Sequence, residues 1–274
     1  TFPHMGTAHL SLTTLLADLG LEPVPPPRTS QRTIALGVKN APEFACFPLK
    51  VNLGNYLEAF AAGAEVILMA GGVGPCRLGY YAEIEREILR GLGHRFEMIV
   101  LEPPHRRWRD LWRAVRRVVP RMSAARIAGA VAFAVRKIGA VDEIERRVNW
   151  LRPRELRRGD ATRAWEECQG YLAPATETTG LAAALRRCRE RLAEVAVDPE
   201  RPVLRVSLAG EIYMVLEPAV NFEMERFLGE NGVAVDRHIY LSDWIRDQLL
   251  RNFISHRWQE PMRALARPYL GHFV

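Results

Sequence analysis

Lysine is nearly missing from this chain. Only Lys39, Lys50 and Lys137 occur among its 274 residues, so arginine carries almost all of the positive charge. GC-rich codon usage explains that bias as well as any ligand does. Cysteine is scarce too, with Cys46, Cys76, Cys168 and Cys188 as the full set. An even count invites disulfides, but a chain this long can bury a sizeable core without staples, and nothing marks it as secreted. No apolar run reaches the ~20 residues that a membrane span needs. The best candidate, Ala124 to Val135, is short and runs into Arg136 and Lys137. The opening residues have neither the basic start nor the apolar stretch of a signal peptide. They also lack an initiator Met and read as a strand already under way, so the chain is expected to be a fragment. A cytoplasmic protein without a membrane partner follows.

What is present is ordinary in bulk and uneven in detail. Hydrophobic residues make up 48% and charged residues 26%, as in a soluble globular protein. The net charge of +6 is concentrated: His105 to Arg158 holds 16 Lys and Arg against 5 Asp and Glu, and the remainder is mildly acidic.

Glycine, proline and hydrophobic periodicity divide the chain into three parts. In the first, about residues 1–104, Thr1–Met5 reads as a strand end and Leu10–Leu19 as a helix closed by Gly20. Val24 before three prolines reads as a short strand, and Thr33–Val38 as a helix or turn. Asn52–Ala62 and Tyr81–Leu92 are expected helices. Glu65–Ala70 and Phe96–Leu101 are expected strands, buried on both faces. Strands alternating with helices imply βαβ units around a parallel sheet.

The second part, residues 105–200, is helical throughout, with breaks expected near Gly139, Arg152-Pro153 and Ala173-Pro174. Trp108, Leu111, Trp112 and Val115 form an apolar stripe. The third, residues 201–274, repeats the α/β pattern. Val203–Leu208 and Val233–Ile239 are its strands. Phe222–Glu230 and Ser242–Phe253 are its helices, the latter capped by Ser242. The sheet is left incomplete. The expected class is therefore α/β, with two parallel-sheet domains separated by an Arg-rich helical layer and the second domain truncated.

Two thiols sit where chemistry is plausible. Cys46 precedes a helix that begins near Pro48, so the helix dipole and free N–H groups favour a thiolate there, and Lys50 adds positive charge one turn on. Cys76 follows a buried strand and a glycine-rich turn, Gly71-Gly72-Val73-Gly74-Pro75, at the strand end where open parallel sheets place their sites. Gly72 and Gly74 let the backbone approach a bulky inorganic group and donate N–H bonds to it, and Arg77 offsets negative charge. The plain alternative is that each Cys is a small buried hydrophobe. A phosphate-binding turn is weaker, because the spacing matches neither the P-loop nor the dinucleotide fingerprint. Cys168 and Cys188 lie in helical, Arg/Glu-rich sequence and are expected to pack. His4, His9 and His272 lie near strand ends, and none is paired at metal-ligand spacing. No nucleophile elbow and no HExxH motif occurs.

Four segments occur together in order: Phe2-Pro3-His4-Met5-Gly6; Pro42-Glu43-Phe44-Ala45-Cys46 with Pro48 and Lys50; Gly72-Val73-Gly74-Pro75-Cys76-Arg77 with Gly79-Tyr80-Tyr81; and Gly210-Glu211-Ile212-Tyr213 with Glu217-Pro218 and Asn221. Together they resemble the activase-associated branch of the 2-hydroxyacyl-CoA dehydratase superfamily, the CoA-substrate-specific enzyme activase-related proteins. The likeness spans most of the chain and is weakest across the basic helices. It implies flavodoxin-like domains holding a 4Fe-4S cluster, or a double-cubane cluster, in the cleft between them. Cys46 and Cys76 match two family cluster ligands; a third family Cys falls beyond the end of this chain. The resemblance also groups Glu211 with Gly72, Gly74, Arg77 and Lys50 as cofactor-binding residues. It implies an ATP-dependent activase as electron donor, in the same full-length chain or a separate one, and an acyl-CoA substrate in true dehydratases. No ATPase phosphate motif occurs here, so this segment corresponds to the cluster-bearing portion.

Two Cys do not complete a cubane, which ordinarily takes four protein ligands. The others come from sequence outside this chain, from a second subunit in a homodimer, or one iron stays open. The leading expectation is an iron–sulfur redox component, either a dehydratase-like lyase or a low-potential reductase component. The alternatives are a scaffold that docks the activase through its basic layer, and a double-cubane-type reductase of small molecules. Nucleic-acid binding through the Arg-rich helices is the weakest reading, since no recognised module is present.

Overall fold

The computed structural model describes residues 1–71, 78–101 and 108–247. Helix α1, Ala8–Asp18, ends where Gly20 adopts φ +73°. Val24 forms no strand: residues 21–30 are irregular, because Pro25, Pro26 and Pro27 bring no N–H to a ladder. Helix α2, Gln31–Asn40, starts at a capping box in which Ser30 and Thr33 each bind the other's backbone N–H. Helix α3, Phe47–Ala61, carries Pro48 in its first turn and Cys46 as its N-cap residue.

Helices α2 and α3 touch through glycine. A Cβ on Gly37 would lie 1.6 Å from the Lys50 carbonyl oxygen, and one on Gly54 would lie 2.0 Å from that of Thr33. Only glycine permits so close a crossing.

Strand β1, Val66–Ala70, helix α4, Leu78–Gly91, and strand β2, Glu97–Leu101, form a parallel βαβ unit with Val66 opposite Glu97. The opening residue lies on the other edge of β1. The Thr1 amino group donates to the Val66 carbonyl at 2.6 Å and Leu68 N–H donates to the Thr1 carbonyl at 2.8 Å. Ile67 and Met69 pack with Leu49, Leu53 and Tyr56 of α3 and Tyr81 and Leu89 of α4. Val66, on the opposite face, is 39% exposed. The strand is thus buried on one face, not on both, because α3 and α4 cover the same side.

The basic layer is helical, as expected. It contains α5, Trp108–Val118; α6, Ala124–Leu151; a single 3-10 turn, Arg152–Arg154; α7, Asp160–Leu172; and α8, Thr178–Ala193. The break expected near Gly139 does not occur. One glycine costs a helix interior about 1 kcal/mol, and burial of Ala134, Ile138, Val141 and Ile144 along α6 outweighs it. Trp112, assigned to a core stripe, is 40% exposed and lies beneath the Arg116 guanidinium at 4.5 Å. Cys168 and Cys188 are fully buried in the core of α6, α7 and α8. Many arginines of the layer are engaged at its surface, Arg189 with Glu143 and Arg191 with Glu167 among them.

Lys137, on α6, is buried. Its Nζ donates to Thr14 Oγ1 at 2.8 Å and to the carbonyls of Ala173 and Ala175 at 3.0 and 2.9 Å, which fastens α1 to the α7–α8 connection.

A second parallel unit follows, with β3, Leu204–Leu208, and β4, Val233–Arg237, joined through α9, Ile212–Leu216, and α10, Met224–Glu230. Helix α10 begins two residues later than expected. Phe222 and Glu223 take left-handed backbone angles, φ 59° and 52°, a strained pair for non-glycine residues. Residues 241–247 are helical. Ser242 therefore lies inside the first turn rather than capping it, and its N–H donates to Asp142 at 2.7 Å. The remainder of that expected helix, to Phe253, lies outside the described residues. The fold is mixed α/β with two small parallel two-stranded sheets. No described helix is long and apolar enough to cross a membrane.

Candidate functional site

Cys46 occupies the position that sequence assigns to it. It is the N-cap residue of α3 and half-buried, its thiol is free, and no side-chain hydrogen bond caps the helix. The unpaired N–H groups of the first turn therefore remain available beside the sulfur. Lys50 Nζ donates to the Glu43 carbonyl at 2.9 Å, so this ammonium holds the loop leading into Cys46. Glu211 caps α9, its carboxylate accepting from the N–H groups of Tyr213 and Met214 at 2.9 and 3.1 Å. The cofactor role proposed for Glu211 thus competes with a structural one. Gly72, Gly74, Cys76 and Arg77 lie outside the described residues.

Two of the four segments that carry the resemblance meet in space. Met5 from the first packs with Tyr213 and Met214 from the last, together with Val51 and Phe47, the residue that follows Cys46, in one apolar cluster; Cys46 itself packs with the cluster of Leu49, Leu53 and Tyr56. From the other side, the first segment is bonded to the last. His4 Nδ1 lies 2.8 Å from Glu217 Oε2, and Gly6 N–H donates to the same oxygen at 2.7 Å. Gly6 adopts φ +51°, and a Cβ there would lie 2.3 Å from the Leu216 carbonyl oxygen.

Burial disfavours charge on Glu217, but His4 and the N–H groups of Gly6 and Ala219 outweigh it and hold the carboxyl below its ordinary range. A carboxylate only accepts, so His4 Nδ1 carries the proton toward Glu217. His9 stacks on His4 with ring centroids 5.3 Å apart. Its Nδ1 lies 3.0 Å from the Gly6 carbonyl and must donate to it. Burial lowers the His9 pKa, Gly6 partly opposes this, and His4 and Arg28 lower it further. The ring is neutral at pH 7.

Both histidines line a cavity of about 300 Å³ where the opening loop, the helical layer and the third part of the chain converge. Its far wall is a polar network. Arg237 bridges Glu145 and Glu225, and those carboxylates hold its pKa up against the opposing effect of burial. Asn149 links Glu225 to Arg152, donating to the former and accepting from Arg152 Nη1 at 2.7 Å. Arg152 is buried and has no carboxylate within ion-pair distance among the described residues. Burial lowers its pKa, which Glu225, Glu145 and Glu230 partly offset from farther away.

Beneath the apolar cluster lies a second polar group. Asn52 and Asn55 of α3, Glu85 of α4 and Tyr213 of α9 are buried, each with side-chain atoms that meet no hydrogen-bond partner among the described residues. Burial drives the Glu85 carboxyl well above its usual range, with Asn52 opposing.

Sequence reading placed His4 and His9 near strand ends and found no pairing. They pair through the turn at Gly6, which carries His4 on extended chain and His9 on the first turn of α1. The Glu-Pro dipeptide at 217–218 was visible, but its partner lies 213 residues away. Among the described residues, no three His, Cys, Asp or Glu stand close enough to hold a metal ion.

No family model, curated protein or solved structure matches the chain.

Proposed function

We propose that this chain is the cluster-bearing part of a low-potential redox protein resembling the activase-associated 2-hydroxyacyl-CoA dehydratase relatives. Cys46 and Cys76 serve as iron ligands. The observation that carries the reading is the convergence of separated motif segments. The loop of His4 and the segment from Glu211 to Asn221 each resemble the family, and they share an apolar cluster and the buried His4–Glu217 hydrogen bond; Phe47, the residue after Cys46, joins that cluster.

The donor chemistry fits for Cys46. A free, half-buried thiol at the N-terminus of a fifteen-residue helix is an accessible ligand. Cys168 and Cys188 do not fit, being sealed in the helical core. A cubane ordinarily takes four thiolates, so Cys46 and Cys76 are part of the set. The remainder come from outside this segment or from a second subunit. When bound, such a cluster supplies one-electron chemistry at low potential. The protein contributes the half-buried seat, the helix N-terminus and the Lys50-braced loop.

The same reading places each parallel pair within a larger flavodoxin-like sheet. Thr1, bonded along the free edge of β1, supports this for the first unit. An ATP-dependent activase is the proposed electron donor, and an acyl-CoA the proposed substrate if the protein is a lyase. The test is reduction of anaerobically loaded protein by activase and ATP, followed in the visible spectrum with and without a 2-hydroxyacyl-CoA. Bleaching on ATP addition is expected. Reduction without turnover removes the dehydratase reading and keeps the reductase one; absence of reduction removes both.

A further inference from the structure

The buried polar group beneath the apolar cluster is out of keeping with the rest of the interior. Buried polar side chains in folded proteins almost always find a hydrogen-bond partner. Here five side-chain oxygens on three helices do not. Both oxygens of Glu85, Asn52 Oδ1, Asn55 Oδ1 and the Tyr213 hydroxyl meet none among the described residues. Asn55 and Glu85 have no exposed surface at all, and Asn52 keeps 2%. The Asn55 Nδ2 is unpartnered too, so no bond dictates which way that amide faces.

The four side chains are neighbours. Asn52 and Asn55 lie three residues apart on the buried side of α3. Asn52 stands near enough to Glu85 to pull its pKa down, and Asn55 does the same to Tyr213. Glu85 and Tyr213 also act on each other electrostatically. Yet none of these approaches closes into an aligned hydrogen bond. Polar groups held close without bonding leave a place for a third body that bridges them.

Charge narrows what that body is. Burial penalises a carboxylate at Glu85, and among the described residues no Arg, Lys or His offsets the penalty. The other ionisable groups acting on Tyr213 are Glu217 and Glu211, also acidic and each already bonded elsewhere. Tyr56, the remaining neighbour, donates its hydroxyl to Met69 Sδ at 3.1 Å. The free atoms are one carboxylate, two amide oxygens and a phenol oxygen, a hard set that suits alkali and alkaline-earth ions rather than zinc or iron. A single carboxylate balances a single positive charge, and a divalent ion would leave buried charge uncompensated.

We propose that Glu85, Asn52, Asn55 and Tyr213 form a buried site for a monovalent metal cation, sodium or potassium. The ion neutralises the Glu85 carboxylate and ties α3, α4 and α9 together from within, where the surrounding contacts are apolar. The site uses neither Cys46 nor Cys76, so it stands or falls independently of the cluster.

The test transfers the whole chain into choline chloride and replaces choline by sodium or potassium at constant ionic strength. Melting temperature and titration calorimetry read the binding. Expected is a saturable rise in melting temperature with at least one of the two ions at millimolar concentration. Magnesium and calcium should need higher concentrations. Glu85→Gln keeps the shape and removes the charge, so the folded variant should melt alike in choline, sodium and potassium. Asn55→Leu should move half-saturation severalfold higher, and it carries the comparison should Glu85→Gln fail to fold. The proposal is overturned if sodium and potassium act no differently from choline, the result expected when water alone bridges the group. It is equally overturned if a divalent ion binds tighter, or if either folded variant responds as the natural chain does.

Discussion

His4 Nδ1 and Glu217 Oε2 lie 2.8 Å apart although 213 positions separate them in sequence. The bond closes the opening loop onto the segment after α9 and sets the geometry of both histidines. Replacing Glu217 by Gln removes the charge but leaves Gly6 N–H and His4 buried against an amide. A loss of about 2–4 kcal/mol in unfolding free energy at pH 7 is expected. The Glu217 pKa is lowered in the folded chain. Its contribution is therefore complete above the ordinary carboxyl range and lost as pH falls through the folded value. Denaturant titrations of natural and Glu217→Gln proteins should accordingly converge on acidification.

Lys137 predicts the same sense of pH dependence in an alkaline window. Burial lowers its pKa from 10.5 to about 8, with Asp18 opposing. Between those values the unfolded chain binds more protons, so stability should rise as pH increases from 8 to 10.5. The gain is bounded at roughly 3 kcal/mol, and the three oxygens around Nζ reduce it. Lys137→Met should flatten the profile across that window when melting temperature is followed against pH.

The α2–α3 crossing allows no side chain at Gly37 or Gly54. Gly→Ala at either position normally helps a helix, yet here the added methyl would meet a backbone carbonyl oxygen. Losses of about 3 kcal/mol or more are expected, against a gain of a few tenths for Ala at the open Gly91. Urea unfolding of the three single variants separates the cases.

Thiol accessibility should follow the packing. Cys168 Sγ and Cys188 Sγ each point at the other's carbonyl, 3.8 and 3.7 Å away. The contact with Cys188 and burial push the Cys168 thiol up, so it stays protonated and unreactive. Limited maleimide labelling of the native chain, mapped by mass spectrometry, should modify Cys46 well before either helical Cys.

Much of the architecture was legible in local sequence. Gly20 after α1 and Pro48 at the start of α3 are signals read within one turn of chain, and they position the elements correctly. Cys46 at a helix N-terminus belongs to the same class. What local pattern could not supply was the partnership of distant residues. His4 and Glu217 are unremarkable alone, and Arg152 reads as one more cation in a basic stretch. The cavity exists because three parts of the chain fold onto one another. Gly139 misled for the converse reason: tertiary burial along α6 overrides a local breaker. The one-sided burial of β1 likewise depends on which faces α3 and α4 cover, information that an apolar run does not contain.

The central claim is that Cys46 holds iron and the helical cysteines do not. The direct measurement is iron and acid-labile sulfide per chain after anaerobic reconstitution, for the natural protein, Cys46→Ala and the Cys168→Ala/Cys188→Ala double variant, with folding checked by circular dichroism. Prediction is a brown natural protein with about four irons per bound cubane, a folded Cys46→Ala protein with most of that iron lost, and a double variant that keeps it. A natural chain that stays colourless and iron-free, or a Cys46→Ala protein that loads as fully as the natural one, would contradict the account.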